Sequence, residues 1–149
     1  SGSERSEVEK CLRRRCDMYN IKICYRLKGL FKMPVQEVIE HTLPFYGRFD
    51  RKTMEQILTK AENEPILPLL LKLPYFKDLT EEQAVDIETA VHTSNKRYYD
   101  SRLALSQCDS TVIYSLTELI QIENRNLTTV IEGVRYSLGP SQIEKMLIL

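Results

Sequence analysis

Glycine-rich loops, metal-ligand spacings, long apolar runs and a charge imbalance are all missing from this sequence, and each absence removes a class of function. The five glycines are scattered and no Gly-x-x-x-x-Gly-Lys occurs, so any link to a nucleotide is indirect. Four cysteines stand at 11, 16, 24 and 108, none in Cys-x-x-Cys spacing, and the two histidines, His41 and His92, are not near them in a ligand pattern. Zinc is therefore not expected, and the thiols read as reduced and buried, as in a cytosolic protein. Lys plus Arg and Asp plus Glu are 21 each, which removes the basic excess expected of a nucleic-acid binder. No stretch reaches the ~20 apolar residues of a membrane span; the best candidate, Pro65 to Leu73, is interrupted by Pro68 and Lys72. No cofactor is expected.

What is present fits a globular helical protein. The chain has 149 residues, 42% apolar and 28% charged, long enough to build a core without disulfides or metals. Ser1-Gly2-Ser3, without an initiating Met, reads as a cloning scar. Residues 4–149 are expected to form a single all-helical domain, itself a piece of something larger.

One phrase occurs twice. Asp17-x-x-Asn20-Ile21 runs on to Lys32 and breaks at Met33-Pro34-x-Gln36; Glu123-x-x-Asn126-Leu127 runs on to Leu138 and breaks at Gly139-Pro140-x-Gln142. The offset is 106 residues throughout, and Leu43 falls on Leu149. A helix–break–helix unit built twice points to architecture rather than chemistry.

Periodicity gives the fold class. From Glu4 to Lys32 a long helix is expected, with Leu12, Cys16, Tyr19, Ile23, Leu27 and Leu30 on one face and Ile21, Cys24 and Tyr25 beside them. Pro34 opens a short helix with Val35, Val38 and Ile39 inward. Asp50 caps a helix from Arg51 to about Glu62, with Met54, Ile57, Leu58 and Ala61 inward. Thr80-x-x-Gln83 is a capping box for a helix to about Leu105. The clearest pattern runs from Val112 to Leu138 and includes Leu116, Ile120, Glu123, Leu127, Val130, Ile131 and Val134. Gly139 is placed as its left-handed terminus and Pro140 as the start of a last short helix. No segment alternates with period two, so the fold is expected to be all-α, its long helices broken at Met33-Pro34 and Gly139-Pro140.

Glu123 sits on the apolar stripe of its helix, where a carboxylate needs a donor. One role is a desolvated general base. The role favoured by the missing His, Ser or Cys partners is structural: Glu123 with Asn126, like Asp17 with Asn20, bonds a neighbouring helix and fixes its register. The Arg13-Arg14-Arg15 run lies among Glu7, Glu9 and Asp17 and reads as a solvated face with local ion pairs. Lys96-Arg97 and Arg102 with Tyr98-Tyr99 read as an amphipathic helix. Phe45, Tyr46 and Arg48, in the loop Thr42 to Phe49, are residue types typical of interfaces.

The phrase from Glu123-x-x-Asn126-Leu127 through Ile131-x-Gly133, Leu138-Gly139-Pro140 and Ile143-x-x-Met146-Leu147 resembles the C-terminal signature of the C subunit of bacterial and archaeal V/A-type rotary ATPases, the counterpart of the d subunit of the vacuolar ATPase. Leu12-Arg13-Arg14 through Lys22, Gly29-Leu30 and Leu43-Pro44-x-x-Gly47-Arg48-Phe49 resemble an earlier copy of the same unit. The resemblance implies a C-terminal fragment, about one and a half lobes of a three-lobed protein, from the prokaryotic branch. It implies a non-catalytic socket on the cytoplasmic face of the membrane. Its partners would be the central-stalk subunits and the proteolipid rotor ring, in a complex that transports protons or sodium ions. The alternatives are a free-standing helical adaptor that binds partner helices and a small enzyme using Glu123 as base.

Overall fold

The computed structural model describes residues 2–149, and every regular element among them is helical. In chain order these are α1 (Gly2–Cys24), a π-helical turn (Tyr25–Leu30), α2 (Val35–Glu40), α3 (Arg51–Lys60), α4 (Ile66–Leu71), 3₁₀ turns at Pro74–Phe76 and Glu82–Ala84, α5 (Ile87–Leu105), α6 (Asp109–Arg135) and α7 (Pro140–Met146). The chain divides into two compact units, Ser1–Val91 and His92–Leu149.

The first unit packs around Met18, Ile21 and Cys24 of α1. Val38 and Ile39 of α2, Phe49, Met54 and Leu58 of α3, and Leu70 of α4 close on them, with Phe76, Ile87 and Val91. Each such side chain taken from water contributes about 1.5–3 kcal/mol before entropy is counted. Asp50 caps α3 as expected, its carboxylate accepting the Thr53 N–H at 2.9 Å, and these bonds hold its pKa below the ordinary carboxylate value.

Three local expectations are corrected. The main buried face of the first long helix is not Leu12 and Tyr19 in α1 and Leu30 in the π-helical turn, all of which are exposed; it is the stripe expected beside them, Ile21 and Cys24, joined by Asp17, Met18 and Asn20. Thr80 and Gln83 do form half of a box, Gln83 Oε1 accepting the Thr80 N–H at 3.1 Å, yet this starts only the short 3₁₀ turn. The cap of α5 is Asp86, which accepts from Thr89 N and Thr89 Oγ1 at 2.9 and 2.7 Å. Pro34 stands just before α2, with extended ψ of 147°, rather than at its first position.

The second unit holds the rest of α5 with α6 and α7. Tyr99 is buried and meets the rings of Tyr98 and Tyr114 at centroid distances of 5.2 and 6.0 Å. Helix α6 ends in a Schellman turn: Ser137 takes the left-handed φ of 57°, and Leu138 N–H donates to Gly133 C=O at 2.9 Å. Gly139 is therefore not the left-handed residue. Its φ is −67°, and it caps α7 with its N–H on Gln142 Oε1 at 3.0 Å, Pro140 following as the first helical residue. Gly133 lets α7 approach α6, because a Cβ there would stand 2.6 Å from Ile143 Cγ1.

The two units repeat one design with small structural edits. Lys32, φ 56°, is the left-handed counterpart of Ser137, but it lies one residue farther from Asn20 than Ser137 does from Asn126. The π-helical turn absorbs that residue, with Phe31 N–H reaching back to Arg26 C=O at 3.2 Å and Met33 N–H to Leu27 C=O at 3.0 Å. The second unit regains the residue before Pro140, so the sequence offset is 106 again at the prolines.

Candidate functional site: two backbone clasps and an outward stripe

Helix α1 holds the loop that follows α2, and not a neighbouring helix as expected, with two side chains one turn apart. Asn20 Oδ1 accepts the Leu43 N–H at 2.8 Å, and its Nδ2 donates to the Leu43 C=O at 3.0 Å. Asp17, fully buried, accepts three consecutive N–H groups, from Gly47 (2.8 Å), Arg48 (2.7 Å) and Phe49 (3.2 Å). The Tyr75 hydroxyl also donates to Asp17 Oδ2. Burial and this bond raise the Tyr75 pKa. Gly47 is required here, since a Cβ would collide with the carboxylate.

The second unit repeats the amide half. Asn126 Oδ1 accepts the Ile148 N–H and its Nδ2 donates to the Ile148 C=O, both at 2.9 Å. The structural equivalent of Leu43 is thus Ile148, one residue before the match on Leu149 that the sequence offset gives; the difference arises after the prolines, Leu43 lying 9 positions beyond Pro34 and Ile148 8 beyond Pro140. Glu123, the counterpart of Asp17, does not join Asn126 in this clasp. It is exposed.

Around the first clasp the basic run folds onto the loop. Arg13 donates to Glu9 Oε1 at 2.7 and 2.9 Å and to the Tyr46 C=O at 2.6 Å, and its guanidinium lies 4.4 Å from the Phe45 ring centroid. Arg14 lies over Tyr75 at 5.1 Å. Tyr46 packs partly against the core, whereas Phe45 and Arg48 reach solvent. Held by Asp17, Asn20 and Arg13, this loop presents a fixed rather than adaptable face.

The sequence pattern mislocated the inside of α6. Its buried residues are Thr111, Ser115, Ile122, Asn126 and Gly133, whereas Ile120, Leu127, Ile131 and Val134 are 50–67% exposed. The signal that could have shown this was the row of small and polar residues at helical spacing, which lets backbones come close. The arrangement offers two held loops and bare apolar helix. Among the described residues no cluster of His, Cys, Asp and Glu could hold a metal ion, and no helix is long and apolar enough to cross a membrane.

A family model described as ATP synthase (C/AC39) subunit matches residues 1–146. No curated protein and no solved structure matches the chain significantly.

Proposed function

The chain belongs to the ATP synthase (C/AC39) subunit family, a component of V/A-type ATPases, and from that premise we propose that it is a non-catalytic rotor socket. In this role it couples the central stalk to the membrane proteolipid ring at the cytoplasmic face, in proton or sodium transport. The two units then correspond to about one and a half lobes of a three-lobed protein. One observation carries the reading beyond family membership: α1 buries Asp17 and Asn20 beside its apolar core residues, and α6 buries Thr111, Ser115, Asn126 and Gly133 while leaving Ile120, Leu127, Ile131 and Val134 outside. A part that transmits torque needs stiffness and at least two interfaces. The clasps at Asp17, Asn20 and Asn126 supply stiffness by tying loops to helices at fixed register, and the outward apolar residues supply contact area.

The test is complex formation. The chain is mixed with purified central-stalk subunits of a V/A-type ATPase from the same source, and separately with the solubilised proteolipid ring. Size-exclusion chromatography with light scattering then reads the mass. A stoichiometric complex with either is the expected result. Failure to bind both overturns the socket and leaves the free-standing adaptor as the reading to pursue.

A further inference from the structure

Helix α6 wears its apolar face on the outside. The exposed residues Ile113, Leu116, Ile120, Leu127, Val130 and Val134, with Glu123 between the third and fourth, follow at alternating steps of 3 and 4 without exception. That is the a/d seam of a coiled coil over three heptads, about 32 Å long at the rise of an α-helix. Large apolar side chains in a contiguous exposed row mark an interaction surface, and this spacing suits a helix laid along it.

Glu123 decides what kind of helix. The midpoint of the seam falls between Glu123 and Asn124. A second copy packed antiparallel would bring the two Glu123 carboxylates side by side, and one packed parallel would stack them in register. Either arrangement buries two like charges in an apolar seam, so the seam is built against its own copy. The first unit shows what an acid at this position receives. Asp17 stands 106 residues earlier in the same phrase and accepts three backbone N–H groups from Gly47, Arg48 and Phe49 and a hydroxyl from Tyr75 of the Pro74–Phe76 turn. In that unit Ile21 and Cys24, the counterparts of Leu127 and Val130, are fully buried. From Asp17 to Cys24 one repeat therefore shows the face covered and its acid met by donors, and the other shows the matching stretch bare.

We propose that the α6 seam docks an amphipathic helix of another protein, apolar along one stripe and carrying Lys or Arg opposite Glu123. The cation replaces the water that Glu123 loses, and the apolar positions on either side exclude solvent from the pair. The surface is defined by its own residues, whether or not the chain is a rotor socket.

Two synthetic 24-residue helices test this, with Leu and Ile at the seam positions and either Lys or Glu at the central one. Fluorescence anisotropy against the full chain should show 1:1 binding of the Lys peptide, about tenfold or more tighter than the Glu peptide. Glu123→Lys should reverse that order. Leu127→Asp should weaken the Lys peptide by about tenfold or more while circular dichroism stays unchanged, because Leu127 is 60% exposed. Absence of binding by both peptides overturns the proposal, as does equal binding that Leu127→Asp leaves untouched. A chain found dimeric by light scattering, and made monomeric by Leu127→Asp, overturns it as well, because a second copy then owns the seam.

Discussion

Asn126 holds Ile148 by both of its backbone polar groups, at 2.9 Å each, as Asn20 holds Leu43 at 2.8 and 3.0 Å. The two clasps differ in burial, and that difference predicts their strength. Ile148 is 3% exposed and Leu43 is 40% exposed. Removing the amide from Asn126 strands a buried donor and a buried acceptor, so Asn126→Ala should cost about 3 kcal/mol. At Leu43 water can replace the lost bonds, and Asn20→Ala should cost about 1–2 kcal/mol. Urea unfolding gives both values. Native-state hydrogen exchange gives a second check, since the Ile148 amide should lose protection in Asn126→Ala.

Asp17 predicts a larger effect. Its carboxylate is the shared acceptor of Gly47, Arg48, Phe49 and Tyr75. Asp17→Ala leaves those donors without their acceptor inside the fold and should cost about 3–5 kcal/mol. Tyr75→Phe keeps the ring but removes the hydroxyl that donates to Asp17 and accepts the Arg48 N–H at 3.1 Å, and should cost about 1 kcal/mol. In a double-mutant cycle the two changes should not add, because the Tyr75–Asp17 bond is lost in each single variant and is counted twice in the sum. Additive losses would mean that the hydroxyl bond contributes little.

Glycine at 133 is a packing requirement. A Cβ there would stand 2.6 Å from Ile143 Cγ1 and 2.9 Å from Cδ1. Gly133→Ala should therefore destabilise by about 1–3 kcal/mol through overpacking, even though alanine favours helix by about 1 kcal/mol over glycine. Ile143→Ala removes the clashing atoms. Combined with it, Gly133→Ala should be neutral or stabilising, as thermal melts of the single and double variants would show.

These residues also mark how far the sequence could be read. The all-helical class, the breaks at Met33-Pro34 and Gly139-Pro140 and the inner faces of α2 and α3 followed from spacing alone, because a local rule decides them. The side on which α1 and α6 are buried did not. The pattern rule takes the largest apolar stripe as the inside. Here Asp17 and Asn20 replace water with backbone partners from residues 43–49, and Asn126 does so from Ile148, so polar residues are buried at little net cost. Gly133 adds a close helix–helix approach that a hydrophobic stripe cannot supply. The π-helical turn was invisible for another reason. It inserts a residue before one break, the second unit inserts one just before Pro140, and the two cancel in the alignment. Of the candidate site, the Asp17, Asn20 and Asn126 positions were legible as polar residues on an apolar helix. Their partners were not, because the backbone contacts join residues 22 to 32 apart and the Tyr75 bond to Asp17 spans 58.

Alkaline pH should weaken the first unit through Cys24. Its thiol is packed against the core, and burial pushes its pKa up from 9.0 to about 12. In the unfolded chain the thiol gives up its proton near 9.0, whereas the folded chain keeps it. Above that pH the unfolded state binds fewer protons, so stability falls as pH rises. The contribution is complete below pH 9.0 and is lost progressively from there towards about 12. Tyr75, also raised by burial and by its bond to Asp17, acts in the same direction. Cys24→Val removes the titrating group and keeps an apolar side chain of similar size. Urea midpoints followed by circular dichroism between about pH 8 and 11 should fall less steeply for Cys24→Val than for the parent, whatever the offset between them at the lower pH. Parallel slopes would mean that the Cys24 thiol titrates alike in both states, through water reaching it in the folded protein.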